Sequence, residues 1–373
     1  MRVQRVVLPE GCGVSWTVLG ADHTPIEPIE AWLSHLSNVG RSPNTQKAYA
    51  TDVRDYFLFL EQRQISWREP SLEVLGEWSA WLRSPLVAGG AVVAFGSRGP
   101  RCGPATVSRK LSAISAFYEF QARHGLDVGQ LRPMWQAWDG RRAGGSWKPF
   151  LTDIGPSRQR RRQVQVRVPK REPRLRTAAE VQSLLDACDR LRDRFLIALV
   201  YSTGIRIGEA LGARHEDLVP RRGEFRVVAR DNVNGARAKS GERTVPAPPE
   251  LMRLYADYIT EEYQALDSDY VFVNLWSGRR GAPVTYASAH DLARRLSRQV
   301  GFKFEFHQLR HSYATGLLRR GVAVEVVSKL MGHRHVTTTI DTYAHLSDTD
   351  IRRHLEAVGF FENGFFGDQG VML

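Results

Sequence analysis

The segment FHQLRHSYAT, residues 306–315, holds residue types that work on metal ions or on phosphates. His307 and His311 lie four apart, the helical spacing at which zinc proteases place two imidazoles on one ion. Such a site also needs a glutamate beside the first histidine as general base, and Gln308 stands there instead. Arg310 would bring a permanent positive charge close to the metal. The segment therefore favours an oxyanion over a metal ion as its ligand.

Helical spacing places His307, Arg310 and His311 on one face, with Leu309 on the core-facing side. A guanidinium matches two phosphate oxygens and stays charged at any relevant pH. One arginine beside two histidines is a weak signal, but other short motifs add residues of the same kinds. They are Arg206 in TGIRIGEAL, Lys239 in AKSGERTVP, His333 in LMGHRH and Tyr343 in TTTIDTYAH.

In this order the residues resemble the signature of the tyrosine recombinase, or phage integrase, family. The resemblance spans residues 177–350 approximately. It implies a site-specific DNA recombinase of the integrase or transposase type, which cuts and rejoins strands through a 3′-phosphotyrosyl intermediate. The catalytic set that it implies is Arg206, Lys239, His307, Arg310, His333 and Tyr343.

The side chains suit that reaction. The phenol of Tyr343 can attack a phosphodiester, but its ordinary pKa of about 10 means that a base must take the proton as attack proceeds. His307 is the candidate base, and Lys239 is the candidate acid for the departing 5′ oxygen. Arg206 and Arg310 would stabilise the phosphorane, the work of divalent metal in many nucleases. We therefore expect no metal, no cofactor and no need for ATP.

Simpler roles exist for several residues near this set. His333 would donate a hydrogen bond to the phosphate, or it could cap a helix that ends just before it. His311 is expected to be structural. Glu209 and Asp217 are expected to orient Arg206 or its helix.

Three other functions stay open. A type IB topoisomerase uses a similar tyrosine but reseals the strand without exchanging partners. A DNA-binding regulator fits the helix-turn-helix cadence of GVAVEVVSKLMGHRHVTTT, but it would have no use for Arg206, Lys239 and Tyr343 together. A zinc hydrolase built on His307 and His311 is the third.

Composition limits the partners. A formal charge of +12 in 373 residues, with an ordinary hydrophobic content of 42%, favours a polyanion, because basic residues near phosphates gain affinity by releasing counterions. Cys12, Cys102 and Cys188 are odd in number and widely spaced, which argues against a disulfide framework. No run is long and apolar enough for a membrane span, and no signal peptide is evident. We expect a cytoplasmic protein at the nucleoid of a bacterium or phage-like element, with double-stranded DNA as partner.

Helical patterns dominate the chain. Ser42 and Pro43 predict the start of one helix, and Pro104 lies near the start of a second. Thr177 and Glu180 form a capping box at a third. Strand character is predicted at residues 224–230, 243–248 and 270–273, with Lys239 at or beside a hairpin tip. The fold class is thus mainly α with a small antiparallel sheet, and the resemblance implies a two-domain DNA clamp.

Five segments are expected along the chain. The resemblance implies a synaptic tetramer on DNA, in which the C-terminal tail, residues 356–373, docks on a neighbouring subunit. A tail folded on its own domain is the alternative. The segments are an unassigned N-terminal arm, 1–25; a helical, SAM-like core-binding domain, 26–125; a basic interdomain linker, 126–176; a catalytic domain, 177–355; and a C-terminal tail, 356–373.

Basic residues cluster where DNA would pass. Residues 158–176 contain nine basic residues and a single acidic residue, Glu172. They also contain two prolines and show no apolar helical period. This pattern indicates an extended tether that also follows a phosphate backbone, and a solvated tether without contacts is the alternative. The predicted DNA contacts are Lys47, Arg54, Arg109 and Lys110 on the helices, and Arg160, Arg161, Arg162, Arg167, Lys170 and Arg171 in the linker.

Overall fold

A computed structural model describes residues 1–7, 14–84, 100–128, 166, 174–238, 240–276, 278–333 and 339. The chain forms two compact units, residues 1–170 and 171–373. Predictions for Lys239, Tyr343, the six linker residues from Arg160 to Arg171 and the tail lie outside the described residues.

Four helices lie in the described part of the first unit. The predicted helix start at Ser42 is confirmed: its side chain accepts a hydrogen bond from the backbone N–H of Thr45, and Pro43 occupies the first turn. Aromatic side chains fill the core, where the Tyr56 and Tyr118 hydroxyls lie 3.2 Å apart. The helices are α1 (Glu27–Asn38), α2 (Pro43–Arg63), α3 (Leu72–Arg83) and α4 (Pro104–Arg123).

A β-hairpin precedes these helices, in the segment that the sequence left unassigned. Strand β1 (Arg2–Val7) pairs antiparallel with β2 (Val14–Leu19). Strand β2 lies on α1 and α2, where the Ser15 hydroxyl donates to the Gln46 side chain at 3.1 Å. The β-branched residues of RVQRVV and VSWTVL were the available signal.

The second unit is mainly helical with a three-stranded antiparallel sheet in the order β3-β4-β5. The capping box at Thr177 and Glu180 is confirmed. The helices are α5 (Ala178–Asp186), α6 (Leu191–Thr203), α7 (Ile207–Leu211), α8 (Pro249–Tyr258), α9 (Tyr286–Val300), α10 (Phe306–Arg319) and α11 (Val324–Met331), and the strands are β3 (Leu218–Val219), β4 (Glu224–Val227) and β5 (Arg243–Pro246).

Strands β4 and β5 confirm two of the three predicted strands. The third prediction, residues 270–273, is wrong: Tyr270 and Val273 form only isolated bridges, to Arg214 and Pro283. This apolar segment is buried, and burial gives the same sequence pattern as a central strand. None of the described helices is both long and apolar enough to cross a membrane.

Arg176, the last basic residue of the predicted linker, belongs to the second unit rather than to solvent. It is buried, and its guanidinium donates to the side chains of Gln308 at 3.0 Å and Glu180 at 2.7 Å. Gln308 also accepts from the backbone N–H of Glu305, which caps α10. Gln308, which stands where a zinc protease has its glutamate, therefore holds both Arg176 and the N-terminus of α10.

Lys110, one of the predicted DNA contacts, is not at the surface of the first unit. Its residue is 4% exposed, and its Nζ donates to Asp52 at 3.1 Å and to Asp55 at 2.6 Å. Asp52 also accepts from Arg109, whose side chain is 46% exposed. The pairing of a lysine on α4 with two aspartates on α2 depends on helix packing, which the spacing along one helix does not reveal.

Replacement of Asp52 should destabilise the first unit. Asp52→Ala leaves the buried Lys110 ammonium with one carboxylate fewer, so we expect a loss of about 3 kcal/mol in the free energy of unfolding. Urea unfolding followed by tryptophan fluorescence measures it, since Trp32 and Trp78 lie in this core. The control Glu77→Ala removes an exposed ion pair with Arg63 and should cost less than about 1 kcal/mol. Equal losses in the two variants would contradict the role of burial.

Candidate active site

Arg310 lies at the centre of the second unit and is 2% exposed. Its Nη1 donates to the carbonyl oxygen of Gly204 at 2.6 Å, and its Nη2 donates to that of Met331 at 2.5 Å. These carbonyls stand at the C-terminal ends of α6 and α11, where the helix dipole is negative. The burial of this charge is therefore compensated by acceptors from two helices.

Glycines permit the close approach of these helix ends. Gly204 and Gly332 follow α6 and α11 with φ of 66° and 61°, a left-handed conformation that favours glycine. A Cβ on Gly332 would lie 2.7 Å from the Ser240 Oγ and 2.8 Å from the Arg243 Nη1. Any other residue would displace the Ser240 and Arg243 side chains, which both contact Glu209.

Arg206 caps the N-terminus of α7 and reaches the same carbonyl oxygen of Met331, at 3.4 Å. Its Nη1 also donates to the Glu209 side chain at 3.0 Å and to the Ser240 hydroxyl at 2.5 Å. The structure thus brings Arg206 and Arg310 together around one acceptor. The expectation that Glu209 orients Arg206 is confirmed, whereas Asp217 holds Arg230 instead.

Glu209 is buried between Arg206 and Arg243. Arg243 donates to both carboxylate oxygens, at 2.7 and 3.3 Å, and through Nε to the carbonyl of Leu330 at 2.7 Å. Burial alone would raise the pKa of Glu209, but the hydrogen bond and charge of Arg243, with those of Arg206, lower it to about 2. Sequence reasoning missed Arg243. Its place as a lone arginine at the start of a predicted strand gave no functional signal.

His333 contacts Arg310 directly: the Arg310 Nη2 lies 3.3 Å from the His333 Nε2. A guanidinium only donates, so Nε2 is the acceptor, and the proton sits on Nδ1, 2.7 Å from the Thr339 hydroxyl. Burial first, and then the charges of Arg310 and Arg206, lower the pKa of His333 to about 4. The imidazole is therefore neutral at pH 7, and donation from Nε2 to a phosphate requires a change of tautomer or the uptake of a proton.

His307 and His311 project from the first turns of α10 with ring centroids 4.2 Å apart. Burial, followed by the charges of Arg310 and Arg206, lowers the pKa of His307. A neutral imidazole beside two guanidiniums can accept a proton. Among the described residues, no group of three histidine, cysteine or carboxylate side chains is arranged to hold a metal ion.

A pocket of about 210 Å³ is lined in part by Arg206, His307 and Arg310. Three arginines and no carboxylate line it beside apolar side chains, so the charged groups at the pocket suit an oxyanion. Sequence reasoning identified Arg206, His307 and Arg310 but missed two further residues. The missed lining residues are Arg237 and Tyr286.

Two family profiles match the chain. The profile of the phage integrase family matches residues 174–350, and that of the phage integrase N-terminal SAM-like domain matches residues 29–125. Transposase A from transposon Tn554 of Staphylococcus aureus is 36% identical over 355 residues, 94% of this chain and 96% of that protein. The chain belongs to the phage integrase family and is a tyrosine recombinase, as the order of its site residues predicted.

Other relatives share less of the sequence. Tyrosine recombinase XerC of Mycobacterium tuberculosis is 28% identical over 318 residues, 84% of this chain and 91% of that protein. A Tn1549 transposon integrase solved with circular-intermediate DNA shares the fold, with a TM-score of 0.58 and 16% identity over 88% of this chain and 99% of that one. A lambda integrase dimer bound to a core site gives a TM-score of 0.56 at 14% identity, over 86% and 96% of the two chains.

The lowered pKa of His333 should appear in the pH dependence of stability. Below the ordinary pKa of 6.5, His333 binds a proton in the unfolded chain, whereas in the folded site it stays neutral until the pH reaches about 4. The contribution of His333 to the free energy of unfolding is therefore complete above pH 6.5 and falls as the pH drops toward 4. Calorimetric unfolding of His333→Gln should show a weaker fall than the wild type. His23→Asn, at an exposed site in the first unit, should keep the wild-type profile; an unchanged profile in His333→Gln would contradict the assignment.

Proposed function

We propose that this protein is a transposon-type, site-specific DNA recombinase that cuts and rejoins strands through a 3′-phosphotyrosyl intermediate on Tyr343. The observation that carries the proposal is the convergence of Arg206 and Arg310 on one pocket beside a neutral His307. Similarity to Transposase A over nearly the whole chain supports transposition as the use.

Phosphate binding is the first step. Arg206 and Arg310 stabilise the non-bridging oxygens as negative charge grows on the phosphorane. Their anchors, Glu209 and the Met331 carbonyl, hold them in place before DNA binds, so little reorganisation is needed at the moment of reaction. Bound phosphate would also favour protonation of His333, which then donates to an oxygen.

Bond exchange follows at phosphorus. The bond from the Tyr343 hydroxyl oxygen to phosphorus forms while the bond from phosphorus to the 5′ oxygen breaks. His307 takes the phenolic proton, and Lys239 gives a proton to the leaving 5′ oxygen. Resealing reverses these transfers with a 5′ hydroxyl from the partner strand. One phosphodiester is exchanged for another, so the reaction needs neither ATP nor a divalent metal to balance.

DNA contacts extend beyond the pocket. Lys47 is exposed on α2, with its Nζ 4.7 Å from the centre of the Trp16 ring, and Arg109 is half exposed. Arg54 is held by Asp55 at 2.5 Å, and Lys110 is withdrawn from this surface by its burial. We infer that Lys47, Arg54 and Arg109 join the linker residues in contacting phosphates while the two domains clamp the duplex. Strand exchange between two cytoplasmic duplexes then takes place in a synaptic tetramer.

A covalent trapping assay tests the reaction. Purified protein is mixed in EDTA with labelled DNA from the ends that flank its own gene and is then run on a denaturing gel. The wild type should give a shifted band, and Tyr343→Phe should give none while binding DNA to a similar extent on native gels. Tyr201→Phe, which removes a half-buried hydroxyl of α6, is the matched control and should keep the band.

Each other outcome of this assay has a definite meaning. Tight DNA binding without an adduct in the wild type would support a DNA-binding regulator instead. An adduct with relaxation of supercoiled DNA, but without joining of two duplexes, would support a type IB topoisomerase. An adduct that needs added metal would overturn the metal-independent mechanism.

Loss of the general acid should be rescued by a better leaving group. Lys239→Ala should cleave ordinary DNA at least roughly 100-fold more slowly, the scale expected for general acid catalysis. A 5′-bridging phosphorothioate leaves as a thiolate without a proton, so Lys239→Ala should cleave it at nearly the wild-type rate. Arg310→Ala is the contrast: it lacks oxyanion stabilisation, and the thiolate should not rescue it. Failure of rescue in Lys239→Ala would assign the acid to another residue.

A further inference from the structure

Tyr286 is a lining residue of the pocket that no step of the proposed reaction uses. It is the first residue of α9, placed by the Thr285 side chain, which accepts from the backbone N–H of Ser288 at 3.2 Å. A Cβ added to Gly208 would lie 1.9 Å from the Tyr286 hydroxyl oxygen. The hydroxyl therefore rests against the backbone of α7, two residues after Arg206.

The hydrogen bonding of Tyr286 differs from that of its buried neighbours. The Tyr258 hydroxyl donates to the Val271 carbonyl at 2.8 Å, and the Tyr263 hydroxyl donates to the Ser268 carbonyl at 2.8 Å. The Tyr255 hydroxyl lies 2.7 Å from a ring nitrogen of His215. Within the described residues, the Tyr286 hydroxyl has no such partner. It is the polar group of a pocket-lining residue, and no described residue uses its hydrogen-bonding capacity.

The chemistry of the pocket defines what this hydroxyl can bind. Burial, and then the nearby Glu209 carboxylate, raises the pKa of Tyr286, so the phenol keeps its proton at neutral pH and is a donor. The other polar side chains lining the pocket are Arg206, Arg237, Arg310 and the imidazole of His307. Guanidiniums accept no hydrogen bond, so an oxyanion that they attract is the natural acceptor for the phenol.

We propose that the Tyr286 hydroxyl donates a hydrogen bond to a non-bridging oxygen of the scissile phosphate, which makes Tyr286 a further catalytic residue. This assignment rests on the proposed strand-transfer function. The phenol adds a neutral donor to an anion already held by Arg206 and Arg310. Its contribution grows as charge builds on the phosphorane, because a hydrogen bond to a charged acceptor is stronger than one to a neutral acceptor.

The direct test is single-turnover cleavage by Tyr286→Phe, which removes the hydroxyl and keeps the ring. The substrate is a duplex with the cleavage site mapped by trapping and a nick just beyond it. We expect adduct formation to slow by roughly 10- to 100-fold, the effect of losing one hydrogen bond to a charged group. DNA affinity on native gels should stay within about threefold, and Tyr201→Phe should cleave at the wild-type rate. An equal rate in Tyr286→Phe and the wild type would overturn the proposal.

Substituted phosphates separate direct contact from a structural effect. In the two methylphosphonate diastereomers of this substrate, a methyl group replaces one or the other non-bridging oxygen at the scissile position. When the oxygen that Tyr286 contacts is replaced, the wild type should lose its advantage over Tyr286→Phe; with the other diastereomer the advantage should persist. An advantage of the same size on both diastereomers would show that Tyr286 acts only through the shape of the pocket.

The outcomes also separate this proposal from the function on which it rests. If wild-type protein and Tyr201→Phe form no adduct on any of these substrates, strand transfer itself is wrong, and the role of Tyr286 falls with it. If both form the adduct and Tyr286→Phe does so at the same rate, strand transfer stands and only the role of Tyr286 is wrong.

Discussion

The buried guanidinium of Arg310 is the interaction on which the second unit depends. An arginine that is 2% exposed is tolerated only where acceptors replace water, and here the carbonyls of Gly204 and Met331 do so. These acceptors lie at the ends of α6 and α11, so the need to satisfy one charge fixes two helix termini against α10. The neutral state of His333 has the same origin, because its imidazole is buried and accepts a hydrogen bond from Arg310. The proposed phosphate site is thus built around the same contacts that compensate the buried charge of Arg310.

A second layer of charge makes the site rigid. Glu209 binds both Arg206 and Arg243, and Arg243 also holds the Leu330 carbonyl, so α7, β5 and α11 meet at one carboxylate. Close approach is possible because Gly332 lacks a side chain that would collide with Ser240 and Arg243. Such prior positioning matters for catalysis, because donors that are already aimed at the developing charge need no costly reorganisation. Ser240, which follows Lys239 in the chain, joins this network through its contacts with Arg206 and Glu209.

Predictions from short sequence patterns are confirmed where the structure depends on residues close together in the chain. Ser42 and Thr177 cap helices because capping involves residues three apart along the chain. Such predictions are wrong where burial or pairing depends on residues far away in the chain. Lys110 lies off an apolar stripe, yet it is buried because α2 presents Asp52 and Asp55 to it. Residues 270–273 have a strand-like composition but take no place in the ladder, because burial without strand pairing satisfies the same pattern.

The sequence by itself determined the helical class of the protein, the starts of three helices, two strands of the sheet and the family to which the chain belongs. Those properties depend on side-chain type, short spacing and order along the chain, all of which can be seen without coordinates. Only the tertiary structure decided that Arg206 and Arg310 share the Met331 carbonyl, that Arg243 stands behind Glu209, and that Tyr286 lines the pocket. These contacts join residues tens of positions apart, and their geometry follows from how helix ends and glycines pack, which no local pattern encodes.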